Sequence, residues 1–146
     1  MPCVRESIEI AAPPEEVWAV VMDPCRLGEW VSAHRRSKDL PELPMDEGES
    51  FNQTLCLAGK SFDVAWTLLE SRDGKLAVWE AVGPRKAKAD VRYEFAASNG
   101  GTRFDYVNEF EVPGGPLKFV AGGVAGAPAR RQARKSLQAL KRLLES

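Results

Sequence analysis

Between Ser50 and Val112 the chain divides into strand-length runs separated by breaks too short to carry a crossover. The runs are Ser50 to Ala58, Ser61 to Ser71, Leu76 to Val82, Lys86 to Ala97 and Thr102 to Val112. The breaks are Gly59-Lys60, Asp73-Gly74, Gly83-Pro84 and Asn99-Gly100-Gly101. Residues that tolerate a positive φ reverse the chain there within a few positions. A parallel neighbour needs a crossover of about a dozen residues or more, so successive runs must pair antiparallel, as a meander.

Alternation assigns the faces of that meander. Phe62, Val64, Trp66 and Leu68 share one side, against Asp63, Ala65 and Thr67. Ala87, Ala89, Val91, Tyr93 and Phe95 oppose Lys86, Lys88, Asp90, Arg92 and Glu94. Thr102, Phe104, Tyr106, Asn108, Phe110 and Val112 oppose Arg103, Asp105, Glu109 and Glu111. One face is apolar and the other solvated, and an apolar face must be covered by another layer.

The long segment left to cover it runs from Pro116 to Ser146, with Pro116 suited to a first helical position. Ala133, Leu137, Leu140 and Leu144 recur at i, i+4, i+7 and i+11, one buried helical stripe. Arg131, Arg134, Lys135, Lys141 and Arg142 occupy the rest of its surface as a solvated basic face. The earlier part, Phe119 to Ala127, is apolar but mostly small-sided. A helix of this kind covers a sheet and leaves space beneath it. The expected architecture is therefore a curved sheet wrapped around the C-terminal helix, with a cavity between them. Gly122, Gly123 and Gly126 would roof that cavity as a thin lid, or serve close helix-on-sheet packing. Pro128 is expected to kink or interrupt the helix just after them.

Upstream, Cys3 to Ile10 alternates as a strand and Pro13-Pro14 ends it. Pro14, Glu15 and Glu16 suit a helical first turn, followed by Val17, Trp18, Val20 and Val21. Asp23-Pro24 breaks that helix and can cap a second short one, from about Cys25 to Ser32, with Leu27 and Trp30 on one face. A short edge strand is expected near Ser37 to Leu40.

Length and composition bound the function. At 146 residues, 44% hydrophobic and 28% charged, the chain is expected to form one globular domain over residues 1–146. A net charge of −1 with dispersed Lys and Arg argues against nucleic-acid binding. The apolar run between Lys118 and Arg130 falls far short of the roughly 20 residues of a membrane span, so no stable membrane insertion is expected. Residues 1–10 have no signal-peptide core. Cys3, Cys25 and Cys56 form no C-x-x-C pair, which fits reduced thiols and a cytoplasmic location. A single histidine, His34, excludes a histidine-rich metal site. No metal or other cofactor is expected, and the chain is read as a monomer or homodimer.

The order strand, two short helices, antiparallel meander, long helix resembles the helix-grip fold of the START-like (SRPBCC) superfamily, an α+β class that includes the birch-pollen-allergen-like proteins. The residues carrying the likeness match its polyketide cyclase/dehydrase-like branch. They are Ile8-Glu9-Ile10, Ala12-Pro13, Glu16-Val17-Trp18, Val21, Asp23-Pro24, Trp30, Gly48, Phe51, Gly100-Gly101-Thr102-Arg103, Ser136-Leu137, Leu140-Lys141 and Leu144-Glu145. The resemblance implies a fold used by ligand carriers, aromatases or cyclases, and co-chaperone-type domains; a fold does not choose among them.

The alternation places Trp66, Tyr93, Phe104, Tyr106, Asn108 and Phe110 toward the helix, with Phe51, Gln53 and Leu55 inward from the first meander strand. Trp79 joins them if it wins the inward face of its strand over Leu76, Val78 and Val82. With Trp30 and Gly123, these form the expected ligand-binding set. Gln53 and Asn108 are amides on apolar faces: they orient a ligand carbonyl or hydroxyl, or bond a buried backbone group or water. Tyr106, Asn108 and His34 are the candidate catalytic groups, set against a packed core and a solvated histidine beside Arg35 and Arg36. The leading expectation is a cofactor-free protein enclosing a small hydrophobic or aromatic molecule, such as a lipid or polyketide-like compound. The alternatives are a cyclase/dehydratase-type enzyme and a co-chaperone-like interaction domain.

Overall fold

In the computed structural model, residues 3–57, 59–111 and 126–145 are described. Strand β1 (Cys3–Ile10) is followed by helix α1 (Pro14–Val21), a 3-10 turn (Pro24–Arg26) and helix α2 (Leu27–Trp30). Strands β2 (His34–Lys38), β3 (Ser50–Leu57), β4 (Lys60–Arg72), β5 (Leu76–Val82), β6 (Lys88–Ser98) and β7 (Gly101–Glu111) come next, then helix α3 (Gly126–Glu145).

All pairings are antiparallel, in the order β1-β7-β6-β5-β4-β3-β2. The consecutive order β3 to β7 is the meander that the short turns demand, and β1 returns to close the β7 edge. The β6–β7 hairpin turns at Asn99 and Gly100, with φ of 49° and 80°, a conformation that favours this Asn-Gly pair. The register breaks between Leu68 and Glu70, where Leu69 is pushed out to 48% exposure. Such a bulge bends a long strand and supports sheet curvature.

α1 lies across one end of the sheet. Thr102 Oγ1 donates to the Ala12 carbonyl at 2.7 Å, and the Trp18 ring meets Phe95 edge-on at 5.2 Å. Asp23 caps the 3-10 turn by accepting from Cys25 N–H at 2.9 Å. α3 packs on β1 and α2 through its apolar stripe, with Ala133, Leu137 and Leu140 buried. Polar ties hold its flank to β1: Arg134 pairs with Glu6 at 2.8 Å, Lys141 Nζ donates to the Glu9 carbonyl at 2.7 Å, and Glu145 accepts from Ala11 N–H at 2.8 Å.

Two expectations need correction. The edge strand lies at His34–Lys38, earlier than Ser37 to Leu40, because His34 and Arg36 to Lys38 find partners on β3. The second short helix is a 3-10 turn and one α turn ending at Trp30, not at Ser32. Pro128 lies within α3 near its described N-terminal end, and the stretch before Gly126, where an interruption would show, lies outside the described residues. The helix start at Pro116 and the roof at Gly122 and Gly123 lie outside the described residues.

Candidate functional site

The cross-strand register builds rows of inward side chains. Phe51 stands opposite Trp66, and Trp66 opposite Ala81. In the next row Leu68, Trp79, Val91 and Asn108 follow one another across β4 to β7. A third row sets Ala77, Tyr93 and Tyr106 side by side. On β5 the inward face is Ala77, Trp79 and Ala81, while Val82 is 42% exposed. The competition on that strand is thus resolved in favour of Trp79 by its neighbours Leu68 and Val91.

Between these rows, α2 and α3 lies a cavity of about 190 Å³ open to the centre of a water molecule. One water needs only roughly 10–15 Å³ in this measure, so the space suits a small molecule. The sheet contributes Phe51, Gln53, Leu55, Trp66, Trp79, Val91, Tyr93, Tyr106 and Asn108. Leu27, Trp30 and Val31 close the α2 side, and Gln132, Ala133, Ser136 and Leu137 come from one face of α3. No charged side chain lines the cavity among the described residues.

Two polar groupings interrupt the apolar wall. Trp66 Nε1 donates to Gln53 Oε1 at 2.8 Å, and the Gln53 amide nitrogen lies 2.8 Å from His34 Nδ1. Across the sheet, Asn108 Nδ2 donates to Tyr106 Oη at 3.1 Å, and the Tyr106 ring stacks on Tyr93 at 5.9 Å. A further polar seam joins the α2–β2 loop to α3: Ser32 N–H donates to Ser136 Oγ at 3.1 Å, and Ser32 Oγ bonds Gln132.

Burial sets the charge states. Tyr93 and Tyr106 are half-buried and line the cavity. Burial pushes both phenols above their ordinary value, aided for Tyr93 by the neighbouring Tyr106 and opposed for Tyr106 by the Asn108 hydrogen bond. Burial, then the Arg35 charge, pulls His34 below the ordinary imidazole value.

Of the sequence-derived candidates, Trp30, Phe51, Gln53, Trp66, Trp79, Tyr93, Tyr106 and Asn108 come together on the cavity wall. Phe104 does not: it is 0% exposed, packed 4.9 Å from Phe95 and 5.3 Å from Tyr93 in the core. Phe110, opposite Ala89, is also off the wall. His34 stands behind Gln53 rather than on the wall, and it is half-buried rather than a freely solvated histidine. Gly123 lies outside the described residues. Gln132 and Ser136 were missed; their signal is the i, i+4 spacing beside Ala133 and Leu137. Among the described residues, no three His, Cys, Asp or Glu groups gather as a metal site, and no helix is long and apolar enough to cross a membrane.

A curved antiparallel sheet gripping a C-terminal helix around an aromatic cavity defines the START-like, birch-pollen-allergen-like class. Protein CV1439 from Chromobacterium violaceum superposes with a TM-score of 0.75 at 18% identity, covering 100% of this chain and 99% of that one. Ara h 8.0201 superposes with a TM-score of 0.70 at 15% identity, covering 97% and 96%. The chain belongs to the family described as polyketide cyclase / dehydrase and lipid transport, whose model matches residues 1–145. Two Mycobacterium tuberculosis proteins, "Toxin Rv0910" (strain H37Rv) and "Toxin MT0934" (strain CDC 1551 / Oshkosh), are each 31% identical over 138 residues, 90% of this chain and 90% of theirs.

Proposed function

We propose that residues 1–146 act as one domain that binds a small hydrophobic or aromatic molecule in the cavity between sheet and α3. The observation that carries this reading is the wall itself: mainly apolar and aromatic, with a few fixed polar groups and room far beyond one water. Trp30, Phe51, Gln53, Trp66, Trp79, Tyr93, Tyr106 and Asn108 are its contact residues. Binding is favoured over acid-base turnover. Tyr93 and Tyr106 are poor proton donors near neutrality, although their hydroxyls can still donate hydrogen bonds to a ligand oxygen. A thermal-unfolding screen against fatty acids, flavonoids and aromatic polyketides tests the reading. A ligand at about 100 times its dissociation constant adds ~2.7 kcal/mol of stability. No shift with any compound would sink it, and conversion of a bound polyketide to a cyclised product would replace it with the cyclase reading.

A second reading rests on the 31% identity to the mycobacterial proteins named as toxins. In it, the chain arrests growth of a host that expresses it. Induced expression with a count of surviving colonies tests this directly; undiminished counts at confirmed protein levels would end it.

A further inference from the structure

Three buried polar atoms have no hydrogen-bond partner among the described residues: Trp30 Nε1, Trp79 Nε1 and Asn108 Oδ1. All three residues line the same cavity. Trp30 is 3% exposed and Trp79 6%. Buried polar atoms in folded proteins are nearly always paired, so three orphans around one cavity are not explained by core packing. The Trp79 ring is held between Phe51 and Trp66, edge to face at 6.0 and 6.2 Å. Turning the Asn108 amide by 180° would pair its oxygen with Tyr106 and orphan its nitrogen instead, so one end is unpaired in either orientation.

We propose that Trp30 and Trp79 are specificity-determining hydrogen-bond donors, and that the cavity selects an uncharged ring compound bearing a carbonyl oxygen over a hydrocarbon or carboxylate of the same size. This inference rests on the reading of the cavity as a ligand site. An indole N–H donates and never accepts, so its partner must be an acceptor, and a carbonyl supplies lone pairs without charge. A hydrocarbon would fill the same space and leave the orphaned atoms unpaired. A carboxylate would bring a negative charge against a described wall that holds no cation. Sites built to hydrogen-bond a ligand reject the analogue lacking that group far more strongly than apolar pockets reject a change of shape. Asn108 and Tyr106 offer both donor and acceptor capacity, so a second polar group on the ligand is accommodated there.

The test compares three bicyclic probes by calorimetric titration: tetralin, 1-tetralone and 1-naphthoate. The expected result is that 1-tetralone binds at least about tenfold more tightly than tetralin, with 1-naphthoate weaker than 1-tetralone. Trp30→Phe and Trp79→Phe keep an aromatic ring and remove the donor. At least one should bring the tetralone-to-tetralin ratio toward one by weakening tetralone while tetralin binding holds, which also reports an intact cavity. Equal binding of tetralin and 1-tetralone, a ratio that survives in both folded variants, or tightest binding of 1-naphthoate overturns the inference and leaves the cavity reading standing. If neither variant folds, the parent protein's ratio decides. Binding of none of the three probes overturns both.

Discussion

The Gln53 amide nitrogen lies 2.8 Å from His34 Nδ1, and the direction of that bond is dictated by a third residue. Trp66 Nε1, 2.8 Å from the other end of the amide, can only donate. The Gln53 atom facing it must therefore be oxygen, which turns the NH2 toward His34. His34 Nδ1 must then accept, and the neutral ring carries its proton on Nε2. Protonating His34 would set two donors against each other and break the row that holds Trp66 on the cavity wall.

This predicts a pH dependence of stability. The folded protein holds the His34 proton more weakly than the unfolded chain, whose histidine titrates near 6.5. Between the two values the unfolded state binds more protons, so stability rises with pH. It should be level above about 6.5, fall as pH drops below it, and level off under the lower folded-state value. His34 is the single histidine, so His34→Asn should flatten that window in urea-unfolding midpoints. A parent midpoint that does not move between pH 7 and about 5 contradicts the assignment.

The same row predicts coupling. Trp66→Phe leaves Gln53 Oε1 without a donor, at a cost of about 1–3 kcal/mol. Gln53→Leu orphans Trp66 Nε1 and His34 Nδ1 and should cost at least as much. The double variant should fall short of the sum by about 1 kcal/mol or more, read from denaturant unfolding. Strict additivity would mean the bond contributes nothing.

Tyr93 and Tyr106 are the only tyrosines, and burial raises both. Tyrosinate absorbance should not develop around pH 10 in the folded protein, as it does in a urea-unfolded sample. For an acid with a raised folded value, the associated stability is complete below the unfolded value and lost as pH rises past it, so alkaline unfolding and tyrosinate formation should coincide. An early half-amplitude titration with the fold intact would place one phenol in solvent.

Gly101 should be less replaceable than its neighbour in the turn. A Cβ there would lie 2.3 Å from the Ile10 carbonyl oxygen, a backbone atom of paired β1. Gly100 meets nothing within 4 Å and needs only its positive φ of 80°. Gly100→Ala should cost about 1 kcal/mol and Gly101→Ala about 2 kcal/mol or more by chemical denaturation. The reverse order would exclude the close approach as the cause.

Much of this fold is legible in one dimension. Period-2 alternation separates Trp66, Tyr93 and Asn108 from Asp63, Arg92 and Glu109, and the Asn99-Gly100 turn allows only antiparallel neighbours. The stripe of Ala133, Leu137 and Leu140 identifies the covering helix. These are local properties of backbone geometry and side-chain period, so the meander, its inward face and its cover follow from residue order alone. Alternation could not tell cavity wall from packed core: Phe104 and Tyr106 share a face, yet only Tyr106 lines the space. Nor could it show that His34 reaches Gln53, that Gln132 and Ser136 meet Ser32, or that Trp30 and Trp79 are left without partners. Those relations depend on strand register and on where α2 and α3 settle across the sheet. They join residues as many as 104 positions apart, so packing in three dimensions settles which distant groups share a wall and which polar atoms remain unpaired.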